Sequence, residues 1–283
     1  MSSLDGKTCV VTGATSGIGE ETALGLAKLG ARIVLIGRDP ERAKHSVERV
    51  RSESGNDRVE SLLGDFASQQ DIRRLAADIL EACPRLDVLV NNAGIITLKR
   101  QTTEDGFEAM FGVNHLGYFT LTNLLLDRLK QSAPARIVNV ASNAHRFGSL
   151  DIDDLQSEKS FGSMKSYGRS KSANILFTVE LARRLEGTHV TVNCLHPGAV
   201  ATRLGHNNGT LGRAVTKIIS VFMLTPARGA LTSIHLASSA AVEGVSGRYF
   251  AKCREQKPTS TASDPAVAAR LWQASHQLTG IGA

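Results

Sequence analysis

Cysteine is scarce in this chain and never paired by spacing. Cys9, Cys83, Cys194 and Cys253 lie far apart, with no C-x-x-C run among them. That argues against a zinc ribbon and a disulfide framework and fits a reducing compartment. The eight histidines form no H-x-x-x-H or similar ligand spacing, so no metal site is expected. No apolar run approaches the eighteen or so residues that span a bilayer. The opening "MSSLDGKTCVVTG" enters a strand at once, with no signal-peptide core and no membrane anchor. The expectation is a soluble, cytoplasmic protein. Blocks of like charge are missing too. The excess of 33 basic over 27 acidic residues gives +6, but it is scattered, and no nucleic-acid partner is expected. Linkers rich in Pro and Ser, and internal repeats, are also absent, which favours a single domain over all 283 residues.

What is present is an alternation. Short apolar runs at 8–11, 32–36, 59–63, 86–90, 136–140 and 190–195 read as strands. Amphipathic stretches at 18–29, 40–53, 70–82, 103–130 and 167–185 read as helices between them. Nearly continuous apolar strands covered by helices predict an α/β fold: a doubly wound parallel sheet buried on both faces, of Rossmann type. Ligands of such sheets bind at the carboxyl ends of the strands. Two segments break the rhythm. Residues 143–166 are a long polar insert. Residues 201–225 are Gly- and Asn-rich and then amphipathic, and are expected to form a substrate lid.

The first strand runs into "TGATSGIG" (12–19) and then a helix. Gly13, Gly17 and Gly19 allow a tight turn and close approach of backbone to a phosphate. Ser16, Ile18 and Gly19 lie where free N–H groups of the helix start meet a pyrophosphate. The spacing is G-x-x-x-G-x-G rather than G-x-G-x-x-G. The second strand ends "RIVLIGRDPER", with Arg38 at a tip where an acidic residue would hold the ribose of NAD. A guanidinium suits a 2′-phosphate, so NADP(H) is the expected cofactor; Asp39 could serve a ribose only if the register moved.

Tyr167 and Lys171 stand four apart in "SYGRSK", on one helical face. An ammonium beside a phenol favours phenolate and should lower the phenol pKa toward neutrality, where proton transfer works in both directions. Ser142, at a strand end, could donate a second hydrogen bond to a carbonyl oxygen.

These motifs occur in the order Thr12–Gly19, "NNAG" (91–94), Ser142, Tyr167-x-x-x-Lys171 and Pro197-Gly198. In that order they resemble the short-chain dehydrogenase/reductase family over nearly the whole chain. "DGFEAMFGVNHLGYFTLTNLLLDRLK", "RIVNVASNAH", "VTVNCLHPGAV" and the tail from "GRYFAKC" are similar to its retinol-dehydrogenase-like branch. The resemblance implies roles by position. Ser142, Tyr167 and Lys171 would be catalytic, with Asn114 supporting the Lys171 end of a water-linked proton relay. Asp65 and Phe66 would contact adenine, and Asn92, Ala93 and Gly94 would line the adenosine side. Pro197, Gly198, Val200 and Thr202 would hold the nicotinamide, while Tyr167 and Lys171 would also touch cofactor. It further implies a homodimer through the long helices and a small apolar aldehyde, ketone or alcohol as substrate. Ser172 and Tyr118 stand where the branch commonly has leucine and histidine, and Ala141-Ser142 where it often has two serines. The alternatives are reduction of a different double bond, as in the related protochlorophyllide reductases, or a nucleotide sensor without turnover.

Overall fold

The computed structural model describes residues 2–198 and 224–281. Among the described residues eight strands make one sheet: β1 (Thr8–Thr12), β2 (Arg32–Gly37), β3 (Val59–Leu63), β4 (Val88–Asn91), β5 (Ala135–Val140), β6 (Val190–His196), β7 (Tyr249–Ala251) and β8 (Arg254–Gln256). Their order is β3-β2-β1-β4-β5-β6-β7-β8. All neighbours are parallel except the final β7–β8 hairpin. The chain reverses direction across the sheet between β1 and β4, which is the switch point where such sheets open a crevice.

Alternation along each strand explains the layers. Val10, Val34, Ile36, Leu89, Ile137 and Val192 point to one face. There they meet α3 (Gln69–Ala82), α4 (Gly117–Gln131), α5 (Ser163–Arg184) and Trp272 of the C-terminal helix α7 (Pro265–Thr279). Cys9, Val11, Leu35, Val90 and Val138 point to the other, against α1 (Gly17–Lys28), α2 (Pro40–Ser54) and α6 (Pro226–Ser238). Both faces are therefore dry, which is why the strands read as apolar runs rather than alternating ones.

Where the sequence suggests one long helix over 103–130, the structure has a turn first. Thr102 and Glu108 form a β-bridge. The Glu108 carboxylate then accepts from the Met110 and Phe111 N–H groups, at 3.1 and 2.8 Å, and starts the helix there. A short α-turn, Ala109–Phe111, passes into a π-helical turn, Gly112–Leu116, before α4 begins. At the other end of the chain, α7 lies on α4 and α5. The Trp272 ring meets Phe119 edge-on at 4.9 Å and stacks on Phe177 at 5.8 Å. The described residues include no helix long and apolar enough to cross a membrane.

Candidate active site

A cleft of about 280 Å³ opens along the carboxyl ends of the strands. Its walls come from the six loops that follow β1 to β6 and from helix α5, and they gather nearly all of the residues singled out above. Gly13, Ser16, Gly17, Ile18 and Gly19 line it from the β1–α1 loop, Arg38 from the tip of β2, and Asp65 and Phe66 from beyond β3. Asn92, Ala93 and Gly94 follow β4, Ser142 follows β5, Tyr167 and Lys171 rise from α5, and Pro197 and Gly198 follow β6. Val200, Thr202 and nearly all of the expected 201–225 lid lie outside the described residues.

The phosphate end is held open by backbone. Gly13 and Gly17 have φ of 62° and 60°, a region that glycine enters freely. A Cβ at Gly19 would overlap the Gly13 carbonyl oxygen and crowd the Asn92 amide. The Thr12 hydroxyl accepts from the Asn92 and Ala93 N–H groups at 2.9 and 3.0 Å, tying the β1 loop to the β4 loop. Helix α1 starts without a side-chain cap, and Ser16 at its N-cap makes no such bond. By contrast α2, α3, α6 and α7 are capped by Asp39, Ser68, Thr225 and Asp264. The uncapped end faces the cleft, so its N–H groups and positive dipole are available to an anion.

At the β2 tip the sequence reading missed a residue. Arg42 lines the cleft with Arg38, and its Nη2 donates to the Thr15 carbonyl at 3.1 Å. The carboxylate of Asp39 accepts from the Arg42 N–H at 3.1 Å and caps α2. It is engaged by the helix rather than facing the cleft. The signal for Arg42 was there in "RDPER": a capping Asp and Pro at the helix start place the third following residue in the first turn.

The opposite end carries the ionisable groups. The Ser142 oxygen accepts from the Ala144 N–H at 3.1 Å, which fixes the hydroxyl and leaves its proton to point elsewhere. Lys171 is buried, and its Nζ donates to the Val140 carbonyl at 3.0 Å. The same Nζ lies 5.7 Å from the ring centres of both Tyr167 and Tyr118. Tyr118 is wholly buried, and its hydroxyl has no hydrogen-bond partner among the described residues.

The electrostatics differ from the expectation for the tyrosine. Burial pushes the Tyr167 phenol up to about 12, only partly offset by a hydrogen bond with Ser142. Burial also pulls the Lys171 ammonium down to about 7. Loss of water penalises each charged form, and this outweighs the help the ammonium could give the phenolate across the ring. Lowering of the phenol by Lys171 is therefore absent from the protein alone.

Asn114 sits in the π-helical turn and stands behind the cleft. Its Oδ1 accepts from the Ile95 N–H at 2.8 Å, and its Nδ2 donates to the Ile95 carbonyl and to Ser170 Oγ, both at 3.0 Å. Ser170 in turn donates to the Tyr167 carbonyl at 2.8 Å. The Asn114 side chain thus pins the β4 loop to the turn of α5 that carries Tyr167, and makes no direct bond to Lys171. Ser172 donates to the Gly148 carbonyl at 2.8 Å and anchors the polar insert to α5.

A family profile described as short chain dehydrogenase matches residues 7–210. This chain belongs to the short-chain dehydrogenases. Within that family it is retinol-dehydrogenase-like. Retinol dehydrogenase 14 of Mus musculus is 48% identical over 291 residues, covering 98% of this chain and 87% of that protein. Among solved structures, an uncharacterised protein from Mycobacterium Paratuberculosis superposes with a TM-score of 0.79 at 32% identity, over 99% of this chain and 96% of that one. The Pseudomonas aeruginosa RhlG/NADP active-site complex reaches 0.69 at 30% identity, over 88% and 95%. An oxidoreductase using a nicotinamide cofactor follows for this short-chain dehydrogenase.

Proposed function

We propose that this enzyme is an NADP(H)-dependent oxidoreductase that interconverts an apolar aldehyde or ketone with its alcohol. The observation that carries the reading is the layout of the cleft. Two arginines stand at one end, an uncapped helix start in the middle, and Ser142, Tyr167 and Lys171 at the other end. These residues fit a nicotinamide dinucleotide carrying a 2′-phosphate. The first-turn N–H groups of α1 would hold the pyrophosphate, with Gly13, Ser16, Gly17, Ile18 and Gly19 allowing its approach. Arg38 and Arg42 would take the 2′-phosphate by charge-assisted hydrogen bonds, since Asp39 is committed to its helix. Asp65 and Phe66 would meet adenine, Asn92, Ala93 and Gly94 the adenosine side, and Pro197 and Gly198 the nicotinamide. Support comes from the 30%-identical RhlG/NADP complex, and from the retinol dehydrogenases, whose name speaks for a small lipophilic alcohol.

When bound, the cofactor supplies or accepts hydride at the reacting carbon. The protein's part is orientation and the proton. Ser142, already oriented by Ala144, donates a hydrogen bond to the carbonyl oxygen. Tyr167 donates the proton as charge develops there, and accepts it in the reverse direction. Two donors aimed at one developing charge stabilise it more than the ground state. Lys171 serves Tyr167 and the cofactor ribose. Asn114 keeps the Tyr167 turn in register with the β4 loop and so acts through position. A homodimer through the long helices is what the resemblance implies.

The decisive experiment is oxidation of NADPH and NADH with a panel of aldehydes, run with the parent enzyme and Tyr167→Phe. The parent should turn over apolar aldehydes with NADPH. The variant should lose turnover by roughly 10²–10⁴-fold, the usual contribution of a proton-transfer group. Tyr167→Phe retaining more than about a tenth of the parent rate would end the assignment.

A further inference from the structure

A second cavity lies at the same sheet edge, beyond the β6 end of the cleft. His196, Ala251, Lys252, Arg254 and Gln256 line it. His196 is the residue before Pro197 and Gly198, so the two cavities share one loop. Every polar side chain in this lining can donate. The His196 Nδ1 accepts from the Gly198 N–H at 2.9 Å, which leaves the ring proton on Nε2 as a donor. Lys252 and Arg254 form no ion pair among the described residues. Glu255 alternates to the other side of β8 and lies 3.8 Å from Arg248. Behind the lining, the Tyr249 ring is held between His196 at 6.4 Å and His145 at 5.3 Å. Its hydroxyl is buried and has no hydrogen-bond partner among the described residues. The His145 Nδ1–H donates to the Ser142 carbonyl at 2.8 Å, which links this wall to the reacting end of the cleft. Burial first, then the neighbouring His145, Lys252 and Arg146, hold the His196 imidazole below its usual range, and no carboxylate of the described residues opposes them.

Unpaired cations and donors converging on one concavity, with no acidic residue in its lining, recognise an anion. We infer that this cavity binds a carboxylate carried by the substrate itself. The preferred substrate is then an apolar carbonyl compound with an acidic group at the end remote from the reacting carbon. This rests on the carbonyl-reductase reading and narrows it. An apolar body with one charged end is held in a single orientation, so the carbonyl is presented to Ser142 and Tyr167.

The test compares octanal with 8-oxooctanoate, two aldehydes of equal chain length differing in the terminal charge. The parent should favour the carboxylate by at least tenfold in kcat/KM. Lys252→Gln with Arg254→Gln should erase that preference and leave octanal turnover in place. Both side chains are exposed, so their neutralisation spares the core. Equal kcat/KM for the two aldehydes, or a preference that survives in the double variant, overturns the inference while leaving the reductase reading intact. A binding arm needs no turnover: octanoate should raise the melting temperature of the parent with NADP+ by more than octanol does. Loss of that difference in the double variant supports the site. An absent difference in the parent, or one unchanged in the variant, counts against it even if neither aldehyde reacts and the reductase reading fails.

Discussion

At the residue scale, Lys171 is a cation in a place that resists charge. In the folded chain its pKa is pulled down to about 7 because burial disfavours the ammonium. The unfolded chain therefore holds the extra proton from about pH 7 up to the ordinary lysine range, and stability rises with pH across that window. Lys171→Met removes the cost. The variant should be more stable than the parent below pH 7, and the gap should close as pH rises toward the lysine range. Urea unfolding at pH 6 and pH 9 checks this; a gap that widens with pH would contradict it. Arg38 is tested by cofactor choice. Arg38→Asp should weaken NADPH binding by roughly 10–100-fold, as expected for loss of a charge-assisted hydrogen bond of about 1.5–3 kcal/mol. NADH binding should hold or improve. Fluorescence titration with both nucleotides decides, and a parent that prefers NADH would refute the role. Much of this end was legible in the sequence: the phosphate loop, Arg38 and the Tyr–Lys pair are local patterns with local causes. Arg42 was missed because its role depends on a helix start aimed at a cleft. The phenol pKa was misjudged because a one-turn spacing reveals proximity but not dehydration.

At the element scale, the start of α1 does its work by lacking a side chain. Gly19 packs where the Gly13 carbonyl and the Asn92 amide leave no room for a Cβ. Gly19→Ala should force the β1 and β4 loops apart, at about 1–3 kcal/mol of overpacking. Cofactor affinity should fall with stability, since the displaced loop is the phosphate floor. Calorimetric NADPH titration and a thermal melt measure both; an unshifted pair of values would show that the loop has slack. The elements themselves were read well wherever burial on both faces made strands uniformly apolar, as in β1, β2, β5 and β6. They were read poorly where a helix changes its winding. Periodicity at 103–130 gives no sign of the turn before Ala109 or of the π-helical Gly112–Leu116, because an extra residue in one turn barely disturbs an apolar stripe. The hairpin β7–β8 was also unread: two three-residue strands are too short for alternation to register.

At the scale of the whole molecule, the C-terminal helix locks the layer that carries the reactive tyrosine. Trp272 is only 9% exposed and joins Phe119 and Phe177, while the Arg184 guanidinium lies 4.3 Å over its ring. Trp272→Ala should cost about 3–5 kcal/mol, the usual range for emptying a buried aromatic site. Chemical unfolding would show it as a lower midpoint with an unchanged slope, and a loss under about 1 kcal/mol would mean that α7 packs without this anchor. The four thiols differ sharply in their access to solvent. Cys9, Cys83 and Cys194 are sealed inside, and burial raises each of their thiols. Cys253 alone is partly open, in the β7–β8 turn between Lys252 and Arg254. A maleimide dye added to the native enzyme should therefore attach at one position, giving a reporter beside the second cavity without any engineered cysteine.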